Sequence, residues 1–254
     1  PVEAVRGRID VTLVTQPNAG PAKARNTGAA RARGAYLAFT DDDCAPAPDW
    51  LHALRAGFAE DGARALGGRT VNALPDNIYS TASQMLIDYI YAYFNPDPKE
   101  AQFFASNNLA FPAAGFREIG GFDTTYPRAA AEDRELCRRW VRRGGRMAYL
   151  PAARVYHAHD LSLRRFWRQH FTYGRGAYCY HRLRARDSGE QIRVEPGGFY
   201  ANLLRHPFRH TARGRAARVA ALLFLSQAAN AGGFFWEKLM AGGERDMKNK
   251  NVVA

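Results

Sequence analysis

The sequence is short of the features that announce several classes of protein. Its three cysteines, Cys44, Cys137 and Cys179, lie far apart in no CxxC or metal spacing. An odd, scattered set argues against a disulfide framework and makes a reducing compartment the default. No basic segment leading into an apolar run stands at the start, which reads Pro1-Val2-Glu3, so no signal peptide is visible. There is no initiating Met either, and the expectation is that the start is a cut. Internal repeats and low-complexity tracts are absent, and with 46% hydrophobic residues in 254 the chain has enough apolar material for a sizeable core.

Acidic residues are scarce in the second half. Up to position 127 there are 11 basic and 14 acidic residues, and beyond it 25 and 10, so the halves carry −3 and +15 within a net charge of +12. That asymmetry suggests an anionic partner for the second half: phosphates, a lipid surface or nucleic acid. A coding bias toward Arg and Ala explains part of the excess equally well.

Residues 9–16 are rich in β-branched side chains and read as a strand, 21–33 as a helix closed by Gly34, and 35–39 as a second strand ending in Asp41-Asp42-Asp43. Strand, helix and strand in that order form a βαβ unit with parallel strands. The acidic triplet then lies at the carboxyl end of a strand, where open α/β sheets bind ligands. Further helices are expected over 49–60 with Asp49 as cap, over 78–94, 113–119 and 131–143, and over 161–173. Strands are expected near 65–71, 106–111, 147–150 and 153–156. Residues 219–236 hold no charge, and a basic stretch, 205–218, precedes them. Three readings stay open for this run: a helix lying at an anionic membrane surface, a buried core helix, or a span. Ser226, Gln227, Asn230 and Gly232-Gly233 weaken the last.

Taken singly, each polar constellation has a bland account. In an extended segment Asp41 and Asp43 point the same way and can share a hard cation, but an acidic turn or a helix cap also uses such residues. Glu132-Asp133 at a helix start is favourable against the helix dipole alone. His157 and His159, two apart after a strand, can ligate a metal, pair with a carboxylate, or be structural.

Their joint order changes this. The runs from Asn18 through Arg25 and Asn26 to Gly28, Gly34 to Asp43, Gly115 to Asp123, Glu132-Asp133 to Arg139, His157-x-His159, and Phe166 to Gly176 together resemble the family 2 glycosyltransferases, over about residues 9–180. The resemblance implies a GT-A fold: an α/β, Rossmann-like, mixed and mainly parallel sheet flanked by helices. It places a catalytic domain in residues 1–160, lacking the family's N-terminal nucleotide-binding strand, and a basic, helical and membrane-associated extension in 161–254. It further implies an inverting transfer from a nucleotide-sugar donor, with Mg²⁺ or Mn²⁺ held by Asp41, Asp43, His159 and His157. Asp41 alternatively reaches the ribose. Asp133 is then the base, Glu132 its orienting partner, and Arg25 and Arg175 the diphosphate contacts. The implied acceptor is a glycan, a lipid-linked sugar or a peptide, in cell-envelope or polysaccharide synthesis on the cytoplasmic face of the membrane. Peripheral contact would run through 205–240, and no nucleic acid is expected. The rival readings are a nucleotidyltransferase of related fold, whose Gly-rich basic loop is not visible, a basic nucleic-acid or membrane-binding module, and a degenerate scaffold.

Overall fold

Alternation of buried and exposed residues marks a strand with one covered face, and β1 (Tyr36–Phe39) has it: Leu37 and Phe39 are buried, Tyr36 and Ala38 exposed. In the computed structural model, which describes residues 9–125, 130–189, 191 and 194–252 (188 and 243–252 in backbone only), β1 is the edge of a five-stranded sheet. The opening residues 1–8, and positions 190, 192 and 193, lie outside the described residues. The other strands are β2 (Cys44–Pro46), β3 (Ala65–Asn72), β4 (Leu109–Pro112) and β5 (Met147–His157), in the order β1-β4-β3-β5-β2.

The sheet is mixed, as expected, but its described pairings are mostly antiparallel. Only β3 and β5 run parallel, while β1 with β4, β3 with β4, and β2 with β5 are antiparallel. The expected βαβ unit is not formed among the described residues: the run 9–16 contributes a single bridge at Ile9. Ile9 and Leu13 are exposed, and Val11 and Val14 are only half-buried, so little apolar packing favours a strand there. The two short strands expected at 147–150 and 153–156 are one strand with a bulge. Gly68 pairs with Leu150 and the next residue, Arg69, with Arg154, so β5 bulges at Pro151, which has no N–H to give the ladder. Asn108 fills the gap, donating to the Arg69 and Ala153 carbonyls and accepting from Trp50 Nε1 at 2.9 Å.

Helices cover both faces. On one, α2 (Trp50–Glu60) buries Trp50, Ala53, Leu54, Gly57 and Phe58, the helical spacing of a one-sided stripe, against Leu66, Ala148 and Val155. Each large side chain so buried contributes about 1.5–3 kcal/mol. Asp49 occupies the cap position but makes no capping bond; its carboxylate lies 3.3 Å from Arg154. On the other face lie α1 (Gly20–Arg31), α4 (Ala113–Glu118) and α5 (Glu132–Arg142) around Phe39, Phe111, Phe116, Phe122, Leu136 and Trp140.

A second core joins the later helices to the sheet domain. α3 (Ile78–Phe94) is capped by Asn77, whose Oδ1 accepts from Tyr79 and Ser80 N–H while its Nδ2 donates to the Leu161 carbonyl. Its Ala82, Leu86 and Tyr89 pack with Phe166 of α6 (Leu163–Ser188), Phe199 and Leu203 of α7 (Gly197–Arg205), and Val219 and Leu223 of α9 (Arg213–Val252), reached through the short α8 (Pro207–His210). Close approach of α6 and α9 needs glycine. A side chain at Gly174 would run into the Asn230 carbonyl, and one at Gly233 into the Phe171 carbonyl. The glycines that count against lipid in the run 219–236 thus serve a helix crossing. Helix α9 is docked along Val219, Leu223, Ser226, Ala229 and Gly233, and open along Phe224, Phe235, Trp236, Leu239 and Met240.

Candidate active site

Two pieces of local architecture aim the polar groups. Asn26 of α1 makes a reciprocal pair with the Phe122 backbone, donating to its carbonyl at 2.7 Å and accepting from its N–H at 2.8 Å. Gly121 (φ +68) has no room for a Cβ beneath Asn26. Arg139 of α5 grips the same turn, donating to the Ile119 and Gly121 carbonyls while paired with Glu135. These bonds lock α1 and the last turn of α5 onto one turn, and the neighbour of Asn26, Arg25, points between the two acidic clusters.

Arg25 joins them. Its guanidinium donates to Asp41 Oδ1 at 2.6 Å and to Glu132 Oε1 at 3.1 Å. Asp41 and Glu132, far apart in sequence, are therefore held by one cation, over the face of Phe122 at 5.5 Å. Burial first, and then the charge of Asp133, raises the Glu132 carboxyl to about 7, although Arg25 opposes the shift. Asp133, half-buried, is also raised, chiefly by burial, while its Oδ1 accepts from the Arg134 N–H at 2.7 Å. The residue before the pair, Ala131, has φ 71, a left-handed conformation uncommon for a side-chain-bearing residue, so the helix opens through a strained corner.

The acidic triplet is not extended. The Cys44 N–H donates to the Asp41 carbonyl, closing a turn that sends Asp41 to Arg25 and Asp43 to the end of β5. Asp43 Oδ2 lies 3.1 Å from His157 Nε2, and Asp43 Oδ1 lies 3.8 Å from Cys44 Sγ. The Asp43, Cys44 and His157 ligand atoms all fall within 4.8 Å of one another, the group among the described residues with the donors and spacing for a metal ion. Asp41 and His159, expected beside Asp43, are not in it: Asp41 is engaged by Arg25, and His159 stacks on His157 with ring centres 4.7 Å apart. Burial, then His157, lowers the basicity of His159.

Helix α6 forms the far wall. A cleft of about 370 Å³ runs from His159 through Asp160 and Leu161 to Arg165, Arg168, Gln169, Thr172 and Tyr173. Tyr173, its side chain partly open to solvent, accepts from Gln169 Nε2 at 3.1 Å, and its hydroxyl is pushed up by desolvation and further by the charges of Asp133, Glu132 and Asp41. Arg175 is not brought to them: its Nε donates to Glu237 at 2.5 Å in the α6–α9 contact. Sequence reasoning passed over Cys44, Arg168 and Tyr173. The helical spacing of Arg168 and Tyr173 was visible, but which face met the cleft was not.

Residues 2–120 match the family model "Glycosyl transferase family 2". The chain is 29% identical over 189 residues to the pre-mycofactocin glycosyltransferase of Mycobacterium tuberculosis, covering 70% of this chain and 39% of that protein. It is 28% identical over 159 residues to the glucosyl-dolichyl phosphate glucuronosyltransferase of Haloferax volcanii, covering 58% and 51%. The chain thus spans about two fifths to one half of the length of these curated relatives. In fold it resembles a mannosyltransferase from Pyrobaculum calidifontis, solved with GDP-Man and Mn²⁺, at a TM-score of 0.54 and 21% identity over 96% of this chain and 64% of the other.

Proposed function

We propose, from the match of residues 2–120 to the glycosyl transferase family 2 model, that the chain moves a sugar from a nucleoside diphosphate donor to an acceptor hydroxyl with inversion at the anomeric carbon. The observation that carries this reading is the Arg25 bridge, which brings the Asp41 end of β1 and the Glu132-Asp133 start of α5 to one place. A transferase needs a donor side and an acceptor side that close.

On the donor side, Asp43 and His157 would hold Mg²⁺ or Mn²⁺, and an Asp-His donor set suits such an ion. The mannosyltransferase of like fold was solved with Mn²⁺. When bound, the ion supplies positive charge against the departing diphosphate. Arg168, in the cleft with no described side-chain partner, takes the diphosphate role that the family resemblance implied for Arg175. Asp41, next to the ion pair, is left for the ribose. On the acceptor side, Asp133 takes the hydroxyl proton as the oxygen–anomeric carbon bond forms and the carbon–phosphate oxygen bond breaks, its electron pair leaving on the diphosphate. A raised carboxyl suits that task, because burial makes it a stronger base than an ordinary carboxylate. Glu132, fixed by Arg25, orients the pair. Direct displacement by the acceptor inverts the centre.

The acceptor belongs to a cell-envelope glycan, lipid-linked sugar or peptide, met at the cytoplasmic membrane surface. The open face of α9 supports this: Phe224, Phe235, Trp236, Leu239 and Met240 are exposed, and Arg205, Arg209, Arg213 and Arg218 precede or flank them. The docked face of the same helix argues against an isolated span. A screen of UDP- and GDP-sugars tests the activity by Mn²⁺-dependent release of nucleoside diphosphate; failure with every donor, by folded protein supplied with membrane acceptors, would overturn it.

A further inference from the structure

Cys44 separates this site from one built of carboxylates and imidazoles. The β2–β5 register sets Cys44 directly opposite His157. Directly opposed residues of an antiparallel pair project from the same face of the sheet, with Cβ atoms about 4.5–5.5 Å apart. Asp43 straddles the two, Oδ1 toward the sulfur at 3.8 Å and Oδ2 toward the imidazole at 3.1 Å. Around a tetrahedral ion with metal–sulfur bonds of about 2.3 Å and metal–nitrogen or –oxygen bonds of about 2.0–2.2 Å, ligand atoms stand about 3.3–3.7 Å from each other. The two Asp43 contacts bracket that range, and one ligand atom from each of the three residues lies within 4.8 Å of the others, so small side-chain turns bring them onto an ion. Of the other thiols, Cys137 is buried and donates to the Phe104 carbonyl, and Cys179 is buried beside Tyr180.

We infer that the Cys44 sulfur is a third protein ligand of the ion held by Asp43 and His157, and that it tilts the site toward Zn²⁺ and Co²⁺ and away from Mg²⁺. The sulfur–metal bond forms as the thiol proton leaves to solvent. Thiolate and imidazole together select borderline-soft ions, whereas Mg²⁺ favours oxygen alone. This inference rests on the proposed metal role of Asp43 and His157.

Cobalt spectroscopy of the full chain, with UDP or GDP present, tests it. Visible d–d bands report bound Co²⁺, and a near-ultraviolet sulfur-to-cobalt band reports a thiolate ligand. Both are expected in the unaltered protein. Cys44→Ser should keep the visible bands and lose the near-ultraviolet one, since Cys137 and Cys179 remain. The ratio of Zn²⁺ to Mg²⁺ affinity, from chelator competition, should fall by about tenfold or more. Co²⁺ bound without the sulfur band, or a band unchanged in Cys44→Ser, overturns the inference and leaves the transferase reading standing. Co²⁺ bound equally well by Asp43→Ala, or not bound at all, overturns the metal site and the inference together.

Discussion

After β1, Asp41 and Asp43 keep 34% and 42% of their side-chain surface in solvent, whereas at the start of α5 Glu132 keeps 7%. Both clusters are adjacent carboxylates of one sign, and their surroundings assign them different work. Solvated carboxylates stay open to an incoming cation. Buried ones resist losing a proton, and Glu132 is raised to about 7. One arginine touches both, so the site is an exposed acidic group and a buried one sharing a single buried cation.

The sharpest test of the contrast is Asp133→Asn, which should lower kcat by about 10³-fold, the middle of the range for a lost general base, and leave donor binding nearly unchanged. Equal activity in that variant would remove the base assignment. Asp43→Ala should do the reverse. It should weaken metal-dependent donor binding by about 100-fold, the upper end of what losing even an outer-shell metal partner costs, as measured by calorimetry with Mn²⁺ and nucleotide.

Arg25→Gln takes away what the clusters share. Unpairing a buried carboxylate costs about 3–5 kcal/mol, and the solvent reaching Asp41 reduces this to roughly 2–3 kcal/mol of unfolding free energy in urea titration. Arg25 also opposes the rise at Glu132, so the same variant should move the acidic limb of the rate profile to higher pH. A profile that stays in place would mean that Glu132 and Asp133 do not set it.

The smallest effect is on the unaltered protein. A base works deprotonated, and burial raises Asp133, so kcat/KM should rise with pH and level off above the ordinary carboxylate range. Stability has the opposite slope. Glu132 binds its proton more tightly folded than unfolded, so its contribution falls as pH rises from 4.5 toward about 7. Thermal melts across that window, compared with Glu132→Gln, isolate it.

Much of this was legible in the chain. The helix expected over 78–94 is observed as Ile78–Phe94, because apolar spacing and the Asn95-Pro96 stop are local signals. The helix carrying Glu132-Asp133 was also clear from the sequence. What escaped was non-local. That Cys44 faces His157 is a fact of strand register, and that Arg175 faces Glu237 is a fact of helix crossing. The strand expected over 9–16 has good β propensity, yet propensity is decided by what packs against it. The sheet's directions likewise follow from pairings across tens of residues.

The crossing at Gly174 and Gly233 leaves no slack between the α6 and α9 backbones. Arg168 and Tyr173 lie within two turns of it along α6. The two rods are geared: a tilt of α9 cannot be absorbed by sliding, and it arrives at the mouth of the cleft as a displacement of those two side chains.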